Sequence, residues 1–292
     1  MLRKLINGQI LFIARIEHFF RKSKSTMFPL EKLLNFDFLS QIFALLLFLF
    51  LWQLEKWKPY YKFSNKKSHG KLNVSFSVLA LLIQFPISLY TLSYLESIQF
   101  QFQGLRGQIN NVYIYSIIAF LGFDMWMYFW HRLNHEFSFF WKFHSVHHSD
   151  PEMDVTSAYR FHFGELIFSD LLRIPILLLL GFSKTELLYY NAFLGINILI
   201  HHSNIAFPEK IDKFYRVFLA SPEMHKVHHS EVIKEANTNY GSLLSIWDRL
   251  FHTFHLTNTS RLKLGIGEDS KPEMQTFGTL LLYPFVKLFK KI

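Results

Sequence analysis

The apolar residues of this 292-residue chain are gathered into long runs, and such runs leave a chain few ways to fold. The best of them are Phe36–Trp52, Val74–Leu95, Val112–Trp130, Leu166–Leu180 and Leu187–Ile200. A helix needs about 20 apolar residues to cross a hydrocarbon core roughly 30 Å thick, where every backbone polar group must be satisfied internally. The second and third runs reach that length, and the first is near it. The fourth and fifth are shorter and are joined by Gly181-Phe182-Ser183-Lys184, so they form either a hairpin of two spans or a re-entrant pair buried on protein. Four spans are expected, with five as the upper count.

Charge follows the same logic. A formal net charge of +9 would point to nucleic acid in a soluble protein, but here Lys56, Lys58, Lys62, Lys66, Lys67 and Lys71 crowd the segment after the first run. That is the positive-inside signature of a cytoplasmic loop, and no nucleic-acid partner is expected. With that loop inside, the third run ends at His131 on the cytoplasmic side. Met1 to about Ser25 mixes a short apolar stretch with basic residues and reads as an interfacial amphipathic helix. The chain has no cysteine, which removes disulfides, thiolate ligands and a cysteine nucleophile.

The chemistry lies in the histidines. Eight fall into three tight groups, His131 and His135, then His144, His147 and His148, then His225, His228 and His229. Residues three and four apart share a helix face, so each group can aim imidazoles at one point. Two groups read alike, His-Ser-Val-His-His-Ser-Asp at 144–150 and His-Lys-Val-His-His-Ser-Glu at 225–231, which suggests two ions with one such face for each half of a cage. Taken singly, each group can be a solvated basic face or side chains snorkelling at a span end. Three such groups together, eight histidines in all, point to metal. Of His201 and His202, which end the last apolar run, one is expected to be a ligand, since adjacent residues point apart. His162 is read first as a ligand, then as a support for one, then as a packed core residue. His252 and His255 read as structural, and His18 and His69 as solvated.

An all-imidazole site suits zinc, copper, iron or nickel. A closed structural zinc site needs four ligands, whereas this chain offers eight clustered ones and up to three more. Metal-bound histidines commonly donate their other N–H to a carboxylate or carbonyl, which nominates Glu136, Asp150, Asp154, Glu165, Glu223, Glu231 and Asp248, with Glu165 and Asp248 first. Ser221-Pro222-Glu223 opens a helix, serine as N-cap and proline in the first turn, that places His225, His228 and His229 together.

The ordered set His131-x-x-x-His135, His144-x-x-His147-His148, His202-x-Asn204 and His225-x-x-His228-His229 resembles the fatty acid hydroxylase / sterol desaturase superfamily of membrane di-iron oxygenases. The likeness takes in Trp141-Lys142-x-His144, Arg160-x-His162-x-x-Glu165, Ser221-Pro222-x-x-His225, Asn239-Tyr240-Gly241 and Trp247-Asp248-Arg249-Leu250-Phe251, about residues 112–255. Phe163, Asn237 and His252 depart from the usual pattern, and Asn237 in place of an acid weakens a ligand-orienting role there. The resemblance implies an all-α fold, a multi-span transmembrane helical bundle with a cytosolic histidine-rich helical cap. It implies two iron ions, O2 as co-substrate, a lipid or sterol substrate that is hydroxylated or desaturated, and electrons from an external haem, iron–sulfur or flavin carrier. The candidate metal ligands are His131, His135, His144, His147, His148, His162, His201, His202, His225, His228 and His229, and the candidates for orienting them are Glu165, Asp248, Asn204 and Asn239. The expected division is 1–110 for the interfacial helix and first spans, 111–260 for the catalytic domain and 261–292 for a tail. The competing reading is a membrane metallohydrolase or structural-zinc protein built on the same cage.

Overall fold

The computed structural model describes residues 30–63, 66–98 and 102–289. The interfacial helix expected over Met1 to Ser25 lies outside them. The chain divides into two compact units, residues 1–42 and 43–292, and the second holds all three histidine groups.

Helices dominate, and the described residues contain no strand, only isolated bridges such as Leu219 with Leu244 and Ser230 with Leu264. In chain order α1 is Leu30–Trp57, α2 Lys66–Ile98, α3 Val112–Glu136, α4 Ser138–His148, α5 Phe163–Leu180, α6 Lys184–His202, α7 Glu209–Phe218 and α8 Pro222–His228. Short helical turns come next at Ile233–Ala236 and Ile246–Leu250, and α9 is Phe277–Phe289.

Among the described residues, three helical stretches are long and apolar enough to cross a membrane: Leu39–Trp57 of α1, all of α2 and all of α3. The four spans expected are therefore not met by length and composition. The reason lies in α5, where Glu165, Asp170 and Arg173 interrupt an 18-residue helix. The α5–α6 pair is a hairpin that returns to its starting level, since Glu165 near one end and His202 near the other both touch histidines of α4. Its turn needs two glycines. Gly181 caps α5 at φ 73°, its N–H reaching the Leu177 and Leu178 carbonyls, and a Cβ on Gly104 would sit 2.3 Å from the Leu178 carbonyl oxygen. Ser183 and Glu186 then form a capping box that starts α6.

A cluster of Leu95, Tyr115, Ala119, Phe123, Leu177, Phe182, Leu187 and Tyr190 ties α2, α3, α5 and α6 together. Asp124, buried in α3, accepts from the Tyr190 hydroxyl at 2.7 Å and the Trp247 indole at 2.7 Å. These contacts bind the hairpin and the 239–251 segment to α3, whose last turns carry His131 and His135. His69, read from the sequence as solvated, is held instead by Asp150 at 2.7 and 2.9 Å.

Candidate metal centre

Each histidine-bearing helix is started or stopped by a local signal. Asn111 caps α3 by accepting from the N–H groups of Tyr113 and Ile114. Ser221 caps α8 with Pro222 in the first turn, as its sequence predicts. The end of α4 falls at His148, ahead of Pro151.

Nine imidazoles gather into two buried groups, His131, His135, His144, His148 and His228 in one, and His147, His202, His225 and His229 in the other. Within each group every residue offers a ligand nitrogen within 4.8 Å of all the others. The sequence expectation is that the near-copies at 144–150 and 225–231 serve one half of the cage each, and the structure corrects this. Each gives its i, i+4 pair to one group and the remaining histidine to the other: His144 and His148 join His228, while His225 and His229 join His147. Adjacent helical residues lie about 100° apart, so His147 and His148 cannot aim at one point, and neither can His228 and His229.

The closest nitrogens are uniformly spaced. In the first group His131 Nε2 lies 3.2 Å from His144 Nε2 and 3.0 Å from His228 Nε2. In the second, His202 Nε2 lies 3.2 Å from His147 Nε2 and 2.9 Å from His225 Nε2, which is 3.1 Å from His229 Nε2. Donors at right angles around one ion, each about 2.1 Å from it, would stand about 3.0 Å apart, against about 3.4 Å for tetrahedral donors. The Nε2 atoms of His135 and His148 are buried and have no hydrogen-bond partner, as lone pairs reserved for a cation would be. Burial, with neighbouring imidazoles adding to it, holds His147, His148, His225, His228 and His229 well below the ordinary value of 6.5. Neutral rings keep their lone pairs, so the donor set fits a metal.

The outer nitrogens fix which atom faces inward. His131 Nδ1 donates to the Tyr240 carbonyl at 2.7 Å, His228 Nδ1 to the Thr238 carbonyl at 2.7 Å, and His202 Nδ1 to the Ile198 carbonyl at 2.9 Å. His144 Nδ1 donates to Glu165 at 2.8 Å, and His135 Nδ1 to Asn237 at 3.3 Å. Asn237, discounted in the sequence because it replaces an acid, thus holds a ring as an amide. The carbonyls of Thr238, Tyr240 and Ile198 carry no residue-type signal that could have announced them.

Other nominated residues lie further out. Asp248 touches no ring, but it accepts from the N–H groups of Tyr240 at 2.7 Å and Gly241 at 2.9 Å, so it shapes the loop that presents the Tyr240 carbonyl. Burial raises its pKa to about 6. Asn239, at φ 53°, ties the Met224 and His255 carbonyls together. Asn204 is a loop pin, bonded to Tyr61 and not to a histidine. His162 stands outside both groups with both nitrogens used, Nδ1 accepting from Gly164 N–H and Nε2 donating to the Leu281 carbonyl. His201 also lies outside, its ring 3.9 Å from that of His225 and its Nδ1 accepting from Asn197. Between His201 and His202, the fold brings His202 to the group. His252 and His255 are exposed.

Residues 116–253 match the family model described as fatty acid hydroxylase. The chain is 39% identical over 130 residues to ornithine lipid hydroxylase OlsE of Rhizobium tropici, covering 44% of this chain and 38% of that protein. It is 31% identical over 144 residues to alkylglycerol monooxygenase of Homo sapiens, covering 48% and 30%. It is 28% identical over 159 residues to very-long-chain aldehyde decarbonylase GL1-9 of Oryza sativa subsp. japonica, covering 53% and 60%. The aligned part thus spans well under half the length of the first two relatives. No solved structure matches.

Proposed function

From the match of residues 116–253 to the fatty acid hydroxylase family model we propose that this chain is a membrane-bound di-iron oxidoreductase that uses O2 to hydroxylate a lipid. The observation that carries the reading is the division of nine buried imidazoles into groups of five and four. His131, His135, His144, His148 and His228 would hold one iron, and His147, His202, His225 and His229 the other. Bound there, the iron pair supplies O2 activation and the oxidising power for C–H hydroxylation.

The chain's own residues supply the rest. Carbonyls 198, 238 and 240, with Asn237 and Glu165, keep the protons of five rings on Nδ1 and so leave Nε2 free to ligate. The Glu165 carboxylate also strengthens His144 as a donor. Burial of every ring keeps water away from the reacting bond. Two histidines stand in the last turns of α3, a helix apolar enough to span the bilayer, so an acyl chain in the membrane lies at the level of the site.

Hydroxylation with O2 converts R–H to R–OH and releases water, and that balance takes two electrons and two protons from outside. A separate haem, iron–sulfur or flavin carrier would deliver the electrons. The lysine-rich segment 56–71, read by the positive-inside bias, supports a site on the cytoplasmic side. Relatives named for ornithine lipid and alkylglycerol favour a polar-headed membrane lipid over a sterol, and hydroxylation over desaturation.

The test is metal analysis of protein purified in mild detergent, paired with O2 uptake and lipid mass spectrometry under a chemical reductant. Two irons per chain and a lipid product heavier by one oxygen are expected. Zinc alone, with no O2 uptake after anaerobic iron loading, would overturn the reading in favour of a structural-zinc or hydrolytic protein.

A further inference from the structure

The helix α7 joins the two parts of the second histidine group, running between His202 and His225, yet it carries no ligand. Its two faces differ sharply. The inner face is tied to protein: buried Asp212 accepts from Ser221 Oγ at 3.0 Å and Glu223 N–H at 3.1 Å, and the Tyr215 hydroxyl donates to Asn197 at 2.5 Å. On the outer face Ile211, Phe214, Val217 and Phe218 are each more than half exposed, at the i, i+3, i+6 and i+7 spacing of one stripe. A ten-residue helix held this firmly gains nothing in water from four large apolar side chains facing outward, so something covers them.

The surroundings say what. The 244–251 segment is bonded along the end of α7, with Ser245 N–H donating to the Phe218 carbonyl at 3.0 Å and Arg249 to the Arg216 carbonyl at 2.6 Å. It adds Ile246 and Leu250, both more than half exposed. Next to Leu250, the Phe251 ring packs 4.8 Å from Phe129, which belongs to the membrane helix α3 two residues before His131. The apolar surface therefore continues from α7 through 246–251 onto the flank of a helix built to lie in lipid. Lys210, Lys213 and Arg249 are exposed beside it, and cations so placed pair with anionic headgroups.

We propose that α7 lies in the plane of the bilayer surface, its Ile211, Phe214, Val217 and Phe218 face inserted among the upper acyl chains of an anionic membrane and Lys210 and Lys213 at the headgroups. Insertion of such a helix places its apolar face roughly 5–10 Å into the headgroup–acyl boundary. Because Asp212 joins α7 to the cap of α8, the lipid contact also holds the level of His225 and His229 relative to the membrane. This surface is independent of the reaction assigned to the histidines.

The chain has no cysteine, so each introduced one is unique. Full-length F214C, labelled with a polarity-sensitive fluorophore, is reconstituted in phosphatidylcholine–phosphatidylglycerol nanodiscs beside L82C, whose side chain is exposed on the span α2. A lipid carrying a nitroxide high on its acyl chain is expected to quench both, and aqueous iodide neither. Adding K210E and K213E to F214C is expected to cost it most of its lipid quenching while L82C keeps its own. Quenching of F214C by iodide and not by lipid overturns the proposal, because the face is then in water. Protection from both quenchers also overturns it, because another protein or a second copy then covers the face. Equal lipid quenching with and without the two lysines overturns the role given to anionic headgroups.

Discussion

The two histidine groups have related plans and unequal support. In the five-member group four outer nitrogens are held, by the Tyr240 and Thr238 carbonyls, Glu165 and Asn237. In the four-member group only His202 is held, by the Ile198 carbonyl, and the Nδ1 atoms of His147, His225 and His229 are buried without a partner. The number of rings in each group differs for a simple reason. The helix α3 presents histidines four residues apart, His131 and His135, whereas on α6 the residue four before His202 is Ile198. The rings of the first group are thus pre-oriented by their surroundings, and those of the second would depend more on a bound ion to order them. Partners on the outer nitrogens commonly contribute 10- to 100-fold in metal affinity, so if each group binds an ion the two would be held with different firmness.

The harshest way to break this comparison is to remove a shared strut. His228→Ala and His147→Ala each delete the single histidine that one near-copy lends to the other's group. Both are expected to abolish turnover and lower bound metal, as read by elemental analysis, and retained activity in either would count against the grouping. Next comes Glu165→Gln, which keeps the shape but removes the charge behind His144. A loss of about 10- to 100-fold in metal affinity is expected, confined to one of the two ions. In a chelator titration of the unaltered protein the four-member site should empty first; simultaneous release would erase the distinction between the two sites.

Acid should act more gently and on both groups. The folded protein holds the imidazoles of 147, 148, 225, 228 and 229 well below 6.5, while the unfolded chain keeps them near it. Below pH 6.5 the unfolded state therefore binds protons that the folded state refuses, and stability of the metal-free protein falls as pH drops from there. Thermal unfolding monitored between pH 7.5 and about pH 5 should show that slope, and a flat profile would mean the rings are not buried neutral. The smallest effect is predicted for His162→Ala. Its ring braces α5 against α9 through the Leu281 carbonyl, so metal content should stay full while stability drops by about 1–3 kcal/mol, because removing the ring loses that bond and leaves the Gly164 N–H without its partner. Loss of a metal equivalent would return His162 to the ligand set.

Much of this is visible along the chain. The apolar runs set α1 to α3, Ser221-Pro222 set the start of α8, and the i, i+4 spacing marks each histidine pair. The chemistry of metal-bound imidazoles points to Glu165 and Asp248, and the structure gives them different tasks: one touches a ring, the other shapes the loop behind a carbonyl. The span count goes astray because hydrophobic runs do not reveal that Asp170 and Arg173 find each other within α5. Asn237 is undervalued by residue type because an amide oxygen accepts from an imidazole as an acid would, a fact that shows only when the two are brought together.

Spacing is local, so helix geometry alone makes the histidine faces and their chemistry readable from residue order. Which faces meet is not local. The sharing of each near-copy between two sites, the choice of His202 over His201 and the exclusion of His162 depend on where the α5–α6 hairpin and the 237–248 loop return. Backbone carbonyls belong with these, since every residue has one and only the fold decides which of them a ring can reach.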